Sequence, residues 1–419
     1  MYLPFINSRA RTICVSALFA LFFSFIFAVP ASALNEQADF SFVVLGDTRG
    51  EIFIPGGVKQ QAEIKSLLKA RYKKAPELSF DQDSGQLRLI QVAGHGGKKS
   101  YKAIYKDGWP QLIIRGDGDQ ARVVMRDSGR KWVFDRVAAA FNPSLAPIDK
   151  RPLFCVHTGD LIIWGAQGQT LDQSPYWQRF QEGLLAKLPP PDPSLGLPGR
   201  FFPALGNHEI WLDENLRGLL TTIPYLSQMG LTIERRIYSF THAGCRFIFL
   251  DSGGYNKKRG AGWWTDKPGF EKQMAALTAW LQKAKEEKAR QVFIVYHKPS
   301  FCITGHGPLP EQWNPRRFID PFAQDLSITV FNGHVHTTEL YRVNGVRYLV
   351  LGGGGAPQKF HPEPPAGYPP ELYWGKSPRL EEYNYLVATV RGDKLKLTIH
   401  RYRPTQVQAP MAAVEVLAD

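Results

Sequence analysis

The sequence predicts an α/β protein with helices on the faces of its sheet, and three observations carry that prediction. Short β-branched or aromatic-rich runs recur along the chain, segments of helical periodicity lie between them, and five of the runs stop at polar groups. These runs are "FSFVVLGD" (40–47), "LFCVHTGD" (153–160), "RFFPALGNHE" (200–209), "QVFIVYH" (291–297) and "ITVFNGHVH" (328–336). Strands that are apolar on both faces belong in the middle of a covered sheet. Their alternation with helical segments selects an α/β arrangement.

Residues 1–33 stand apart from the fold. Arg9 and Arg11 precede an apolar run from Ile13 to Val29, and Ala31-Ser32-Ala33 follows it. That order describes a secretory signal peptide cut after Ala33, with an uncleaved membrane anchor as the alternative. Cys14 lies early in the run, which argues against a lipid-modified N-terminal cysteine. The expected location is secreted or periplasmic, with no stable membrane span in the mature chain. The rest reads as one large domain over 34–405, closed by a tail at 406–419.

Within that domain the first helix is "VKQQAEIKSLLKARY" (58–72), where Val58, Ala62, Ile64, Leu67, Leu68 and Tyr72 recur near helical spacing. Between about 76 and 130, short strands with Gly- and Asp-rich turns suggest a β-rich insertion. The helix "RKWVFDRVAAAF" follows it. "RIYSFTHAGCRFIFLDSGG" (236–254) is apolar enough for packed strands. Phe270, Met274, Leu277, Leu281 and Ala284 then mark a second long helix. A hairpin turning at Gly392-Asp393 is expected in "NYLVATVRGDKLKLTIHRYRP" (384–404).

Composition narrows the function classes. With 419 residues, 44% hydrophobic and 21% charged, the chain can bury a large core. Its formal charge of +13, or +11 once Arg9 and Arg11 are removed, is spread thinly, as in "KARYKK" and "NKKR". A diffuse positive field favours anionic substrates or envelope surfaces. No concentrated basic and aromatic stripe accompanies it, so nucleic acid is not an expected partner. The mature chain keeps Cys155, Cys245 and Cys302, which have no metal-ligand spacing and leave open one bridge or three free thiols.

In open α/β sheets, ligands gather where strands end at their carboxyl edge. The five runs finish in Asp47, Asp160, Asn207 with His208, His297, and His334 with His336, all residues of metal-binding type. One such ending is ordinarily a turn or a core histidine. Five in succession are not. "GD" (46–47), "GD" (159–160), "GNHE" (206–209), His297 and "GHVH" (333–336) together resemble the ordered signature of calcineurin-like metallophosphoesterases. "GNHE" and "GHVH" in this order are the specific part; either "GD" alone is weak.

The resemblance implies a four-layer α/β/β/α sandwich and a centre of two divalent or iron-containing ions, drawn from manganese, iron and zinc, with a one-ion site as the variant. It implies that Asp160 bridges the ions, that Asn207, His297 and His334 complete one shell, and that Asp47 and His336 hold the other ion. A metal-bound hydroxide would then attack phosphorus in line. His208, positioned by Glu209 or a nearby carboxylate, would steady the phosphoryl group or protonate the leaving oxygen. Glycines before the ligands would let the backbone turn sharply.

Two positions depart from that pattern. Relatives commonly carry histidine two residues after the first Asp, or tyrosine three residues after the bridging one; this chain has Arg49 and Ile163 there. Arginine stays protonated and has no lone pair for a metal. Either Arg49 reaches into the site and binds a phosphate oxygen, or it turns away to a surface acid.

His95 reads as a turn residue and His157 as core. His306 either lines the cleft or does not, and Trp263 and Trp264 pack under a loop more readily than they form an aromatic wall. "GGGG" (352–355) needs only to be a tight turn near the metals. The function expected is hydrolysis of a phosphate ester by an exported metalloenzyme acting on monoesters. The alternatives are a phosphodiesterase, or a protein that binds phosphate or metal without turnover. Substrate identity and oligomeric state are not legible.

Overall fold

The computed structural model describes residues 38–49, 130–142, 144, 151–162, 175–210, 213–253, 267–303, 307–356 and 383–402, and the backbone of short strands within 78–123 and 413–418. The apolar run 13–29, the expected helix 58–72, His95, Ile163, Trp263, Trp264 and His306 lie outside the described residues.

In chain order the strands begin with β1 (Phe40–Leu45). Six short strands follow within the segment expected to be β-rich: β2 (Leu78–Asp81), β3 (Gln86–Leu89), β4 (Ile104–Lys106), β5 (Trp109–Leu112), β6 (Ile114–Arg115) and β7 (Arg122–Val123). They pair as a four-stranded sheet, β2-β3-β7-β6, and a β4-β5 ribbon. Helix α1 (Arg130–Ala140), β8 (Pro152–His157), α2 (Pro175–Gly183) and β9 (Phe201–Pro203) come next. The short helices α3 (Asn207–Ile210), α4 (Arg217–Thr222) and α5 (Tyr225–Gln228) lead to β10 (Tyr238–His242) and β11 (Cys245–Phe249). Helix α6 (Lys267–Glu286), β12 (Val292–Val295), α7 (Arg316–Ile319) and β13 (Ile328–Asn332) follow. The chain ends in β14 (Thr338–Val343), β15 (Val346–Leu351), β16 (Tyr383–Arg391), β17 (Lys394–Tyr402) and β18 (Ala413–Ala418).

Two six-stranded sheets result, ordered β18-β17-β16-β1-β8-β9 and β10-β11-β12-β13-β15-β14. β1, β8 and β9 run parallel, as do β11, β12, β13 and β15. Parallel neighbours bring their carboxyl ends to one edge, which is how distant residues come to share a site. The hairpins turn where positive φ is available: Ala243-Gly244 between β10 and β11, Asn344-Gly345 between β14 and β15. β16 and β17 turn at Gly392-Asp393 as expected. Part of the expected tail instead pairs with β17 as β18, because a free strand edge offers it backbone partners.

Side-chain alternation explains the layering. Phe247 and Phe249 of β11 join the core between the sheets, whereas Ile248 and Leu250 face the cluster built on Phe270, Met274, Leu277 and Leu281 of α6. Phe42 is the centre of the inter-sheet layer. Its ring lies 5.5 Å from Phe154 and packs edge-on against Phe247 at 5.2 Å and Phe293 at 4.9 Å. Each such ring contributes roughly 1.5–3 kcal/mol by burial. On the first sheet's side, Val133, Phe134 and Val137 of α1 join Trp177 and Phe180 of α2. The order helix, sheet, sheet, helix is the predicted sandwich. Among the described residues no helix is long and apolar enough to cross a membrane, and none of Cys155, Cys245 and Cys302 is disulfide-bonded.

Candidate metal centre

Asp47 follows β1, Asp160 follows β8 and Asn207-His208 follow β9, all from the first sheet. His297 follows β12, and His334 and His336 follow β13, from the second. The edges meet through the Asp47 carboxylate, whose Oδ2 accepts a 2.7 Å hydrogen bond from the His334 backbone N–H. The "GGGG" turn closes beside it, with Gly354 N–H donating to Gly46 O and Ala356 N–H to Asp47 O, both at 2.8 Å.

Local backbone strain marks the same residues. Asp47, Asp160, His334 and His336 all have φ between 53° and 73°, a region that residues other than glycine rarely adopt. Of the glycines preceding the ligands, only Gly159 takes a positive φ, at 98°. The expected glycine turns are therefore mostly made by the ligands themselves. Gly206 is required by closeness instead: a Cβ there would lie 2.1 Å from the Asp160 backbone nitrogen.

Two groups of donors converge, each with its atoms within 4.8 Å of one another: Asp160, His297 and His334, and Asp47, Asp160 and His336. All are buried. In the first group, His297 Nδ1 lies 2.9 Å from the carbonyl of Thr158. A carbonyl only accepts, so Nδ1 carries a hydrogen, and Nε2 is the nitrogen that faces Asp160 and His334. That Nε2 is 3.2 Å from Asp160 Oδ1 and 3.1 Å from His334 Nδ1. Asp160, His297 and His334 thus turn three potential ligand atoms toward one point. Asn207 Oδ1 is buried and makes no hydrogen bond. Orphaned buried oxygens are costly unless something positive binds them, and mixed oxygen and imidazole donors suit manganese, iron or zinc. Asp160, Asn207, His297 and His334 fit a metal ion.

Electrostatics agree. Burial pushes the Asp47 carboxyl up to about 8, against the pull of His297. Burial also resists protonation of His297, but Asp160, Asp47 and Glu209 outweigh it and raise it to about 9. Burial alone would raise Asp160; the neighbouring His208, His297 and Arg49 hold it well below the carboxylate range. The pocket calls for positive charge, from a proton or an ion.

Arg49 points into the centre. Its Nη2 donates a 2.8 Å hydrogen bond to His336 Nε2, and its Nε lies 3.1 Å from Asp160 Oδ2. The second donor group converges as closely as the first, yet the guanidinium faces two of its three members.

His208 sits with Nε2 3.7 Å from Asp160 Oδ2, so Asp160 is its carboxylate neighbour. Glu209 holds backbone groups. Its Oε2 accepts from the backbone N–H groups of Asp160 at 2.9 Å and Gly206 at 2.8 Å, and its Oε1 from Leu161 at 2.8 Å. It ties the two loops together. Burial and the Asp160 charge push it up to about 7, whereas donors at both oxygens favour the carboxylate. His157 is core, as expected, and burial lowers it to about 3. It also accepts from Gly159 N–H and meets the Thr48 hydroxyl at 3.0 Å, bracing the turns that carry Asp160 and Asp47. Lys298, beside His297 in "YHKP", was not singled out in the sequence; burial lowers it to about 8, while Asp251 and Asp160 oppose that.

Curated protein sequences give no match. Among solved structures, a dimetal phosphatase from Danio rerio is 13% identical, with 90% of this chain and 99% of that one covered and a TM-score of 0.45. The inner-membrane-complex anchor GAP50 of Plasmodium is 15% identical, covering 70% of this chain and 86% of that one at a TM-score of 0.42. A 5'-nucleotidase from Candida albicans is 15% identical, covering 52% and 40% at a TM-score of 0.32. The sequence profile of the calcineurin-like phosphoesterases matches residues 127–338. That stretch holds Asp160, Asn207, His208, His297, His334 and His336, and the fold adds Asp47 from outside it. The chain belongs to the calcineurin-like phosphoesterase family and is a metal-dependent phosphoester hydrolase.

Proposed function

We propose that this hydrolase is exported and acts on phosphomonoesters. The N-terminal segment, with Arg9 and Arg11 before the run Ile13–Val29, supports export. The observation that carries the substrate class is the guanidinium of Arg49, aimed into the carboxylate and imidazole cluster with its side chain 19% exposed. A terminal phosphate offers more charge and more free oxygens than a diester, and a guanidinium retains N–H groups to bind them.

In this reading Asp160, Asn207, His297 and His334 hold a divalent ion, and Asp47 and His336 form the adjoining wall. A bound ion supplies Lewis-acid activation of water and charge neutralisation at phosphorus. The chain's own groups do the rest. Thr158 O and Asp160 fix the His297 ring, and Glu209 fixes the loop that presents Asp160. As a water oxygen bonds to phosphorus and the ester P–O bond breaks, His208, whose Nε2 lies 3.7 Å from Asp160 Oδ2, would give a proton to the leaving oxygen. Arg49 orients the phosphoryl oxygens.

A second reading, binding without turnover, draws on the hydrogen bond between Arg49 and His336, which engages a residue expected to bind metal. The test is hydrolysis of p-nitrophenyl phosphate and bis-p-nitrophenyl phosphate with manganese, zinc, iron or no added ion. Faster turnover of the monoester supports the proposal. A preference for the bis ester replaces it with a diesterase, and phosphate binding without hydrolysis replaces it with a binding protein.

A further inference from the structure

We infer that this centre holds one divalent ion, and that the Arg49 guanidinium stands in the place of a second; the inference rests on the hydrolase reading above. Asp160 divides its oxygens. Oδ1 faces His297 Nε2 at 3.2 Å, within the group that also contains His334, while Oδ2 faces Arg49 Nε at 3.1 Å. The residue expected to bridge two ions thus bridges an ion position and a guanidinium.

The neighbouring donor group of Asp47, Asp160 and His336 does not fit an ion. The Nε2 of His336 has a single lone pair, and Arg49 Nη2 already donates to it at 2.8 Å. One lone pair cannot serve an N–H and a metal together. Arg49 itself stays protonated and offers no lone pair in exchange. Charge points the same way. Asp47 and Asp160 bring two negative charges, which one dication and a guanidinium already exceed; a second dication would stand against that guanidinium in a buried pocket, where like charges repel strongly.

The guanidinium is held there by its backbone. Arg49 N–H donates to Asp160 O at 3.0 Å, and Asp47 N–H to Gly159 O at 3.1 Å. Thr48, between them, donates its hydroxyl to Leu161 O at 3.0 Å. The turn carrying Arg49 is stitched to the turn carrying Asp160, so the side chain has a short path to that carboxylate.

The test counts ions. The chain is stripped with chelator, reloaded with excess manganese, dialysed, and analysed by plasma mass spectrometry, with calorimetric titration of manganese into the stripped protein as a second count. The wild-type chain should hold one ion, and Arg49→His should hold two, a twofold rise; Arg49→Lys should stay at one. Two ions in the wild type would overturn the inference and leave the hydrolase reading intact. None would overturn both. A folded Arg49→His chain that still holds one ion would show that the guanidinium is not what keeps the second ion out. Circular dichroism checks folding, and if that variant does not fold the wild-type count alone decides.

Discussion

Replacing Glu209 with glutamine keeps the shape of the side chain and removes its ability to accept hydrogen bonds at both ends. The carboxylate now receives backbone N–H groups at 2.9 and 2.8 Å on Oε2 and at 2.8 Å on Oε1, with a longer fourth contact from Ile162 at 3.4 Å. Glutamine has one accepting oxygen. Whichever way its amide turns, the NH₂ meets at least one buried N–H. If the oxygen takes the Oε2 side, the bond to Leu161 is lost and the other two become neutral rather than charge-assisted. Losing a bond to a charged group costs about 1.5–3 kcal/mol and the two weakened bonds cost roughly another 1 kcal/mol. Removing a negative charge beside Asp160 offsets part of this. The expected loss is about 2–4 kcal/mol, read as a lower urea midpoint at unchanged slope. Unfolding should be followed in excess chelator, so that ion binding to the native state does not contribute. Because Glu209 also holds the Asp160 backbone, metal affinity should fall roughly 10–100-fold, as for other groups that orient a ligand. A stability change under about 0.5 kcal/mol with unaltered metal affinity would refute the role given to Glu209.

Other perturbations separate the site from its scaffold. His334→Ala should abolish hydrolysis and lower bound metal while the chain stays folded; full activity would remove His334 from the ligand set. Phe42→Ala, at the centre of the inter-sheet aromatic layer, should destabilise by about 3–5 kcal/mol, measured by urea unfolding, without altering metal stoichiometry. In the folded protein a thiol reagent should label Cys302, which is partly exposed, and spare Cys155 and Cys245, whose thiols are buried and pushed upward by burial. Rapid labelling of all three would contradict the core as described.

Much of the site could be read from the chain because its chemistry sits at strand ends. Asp47, Asp160, His297, His334 and His336 each close an apolar run, and a sheet with parallel strands delivers those ends to one edge. Glu209 was legible only as part of "GNHE". Its work depends on the spacing of two loops nearly fifty residues apart, which no local pattern encodes. Lys298 was hidden for a related reason: a lysine after a strand is ordinarily solvated, and this one is buried only in the tertiary fold, where its backbone N–H donates to Ser252 Oγ. For Arg49 the missing lone pair was legible and the partner was not, since His336 lies 287 residues away. The layering needed the fold as well. In "CRFIF" both faces are apolar, and which face meets the other sheet and which meets α6 is settled only by tertiary packing.

Anomalous diffraction from crystals of the manganese-loaded protein addresses the central claim most directly. The account predicts a peak bonded to Asp160, His297 and His334, with the Arg49 guanidinium beside it between Asp160 and His336. Crystals of fully loaded, active protein with no peak at those residues, or with the ion held elsewhere, would contradict it.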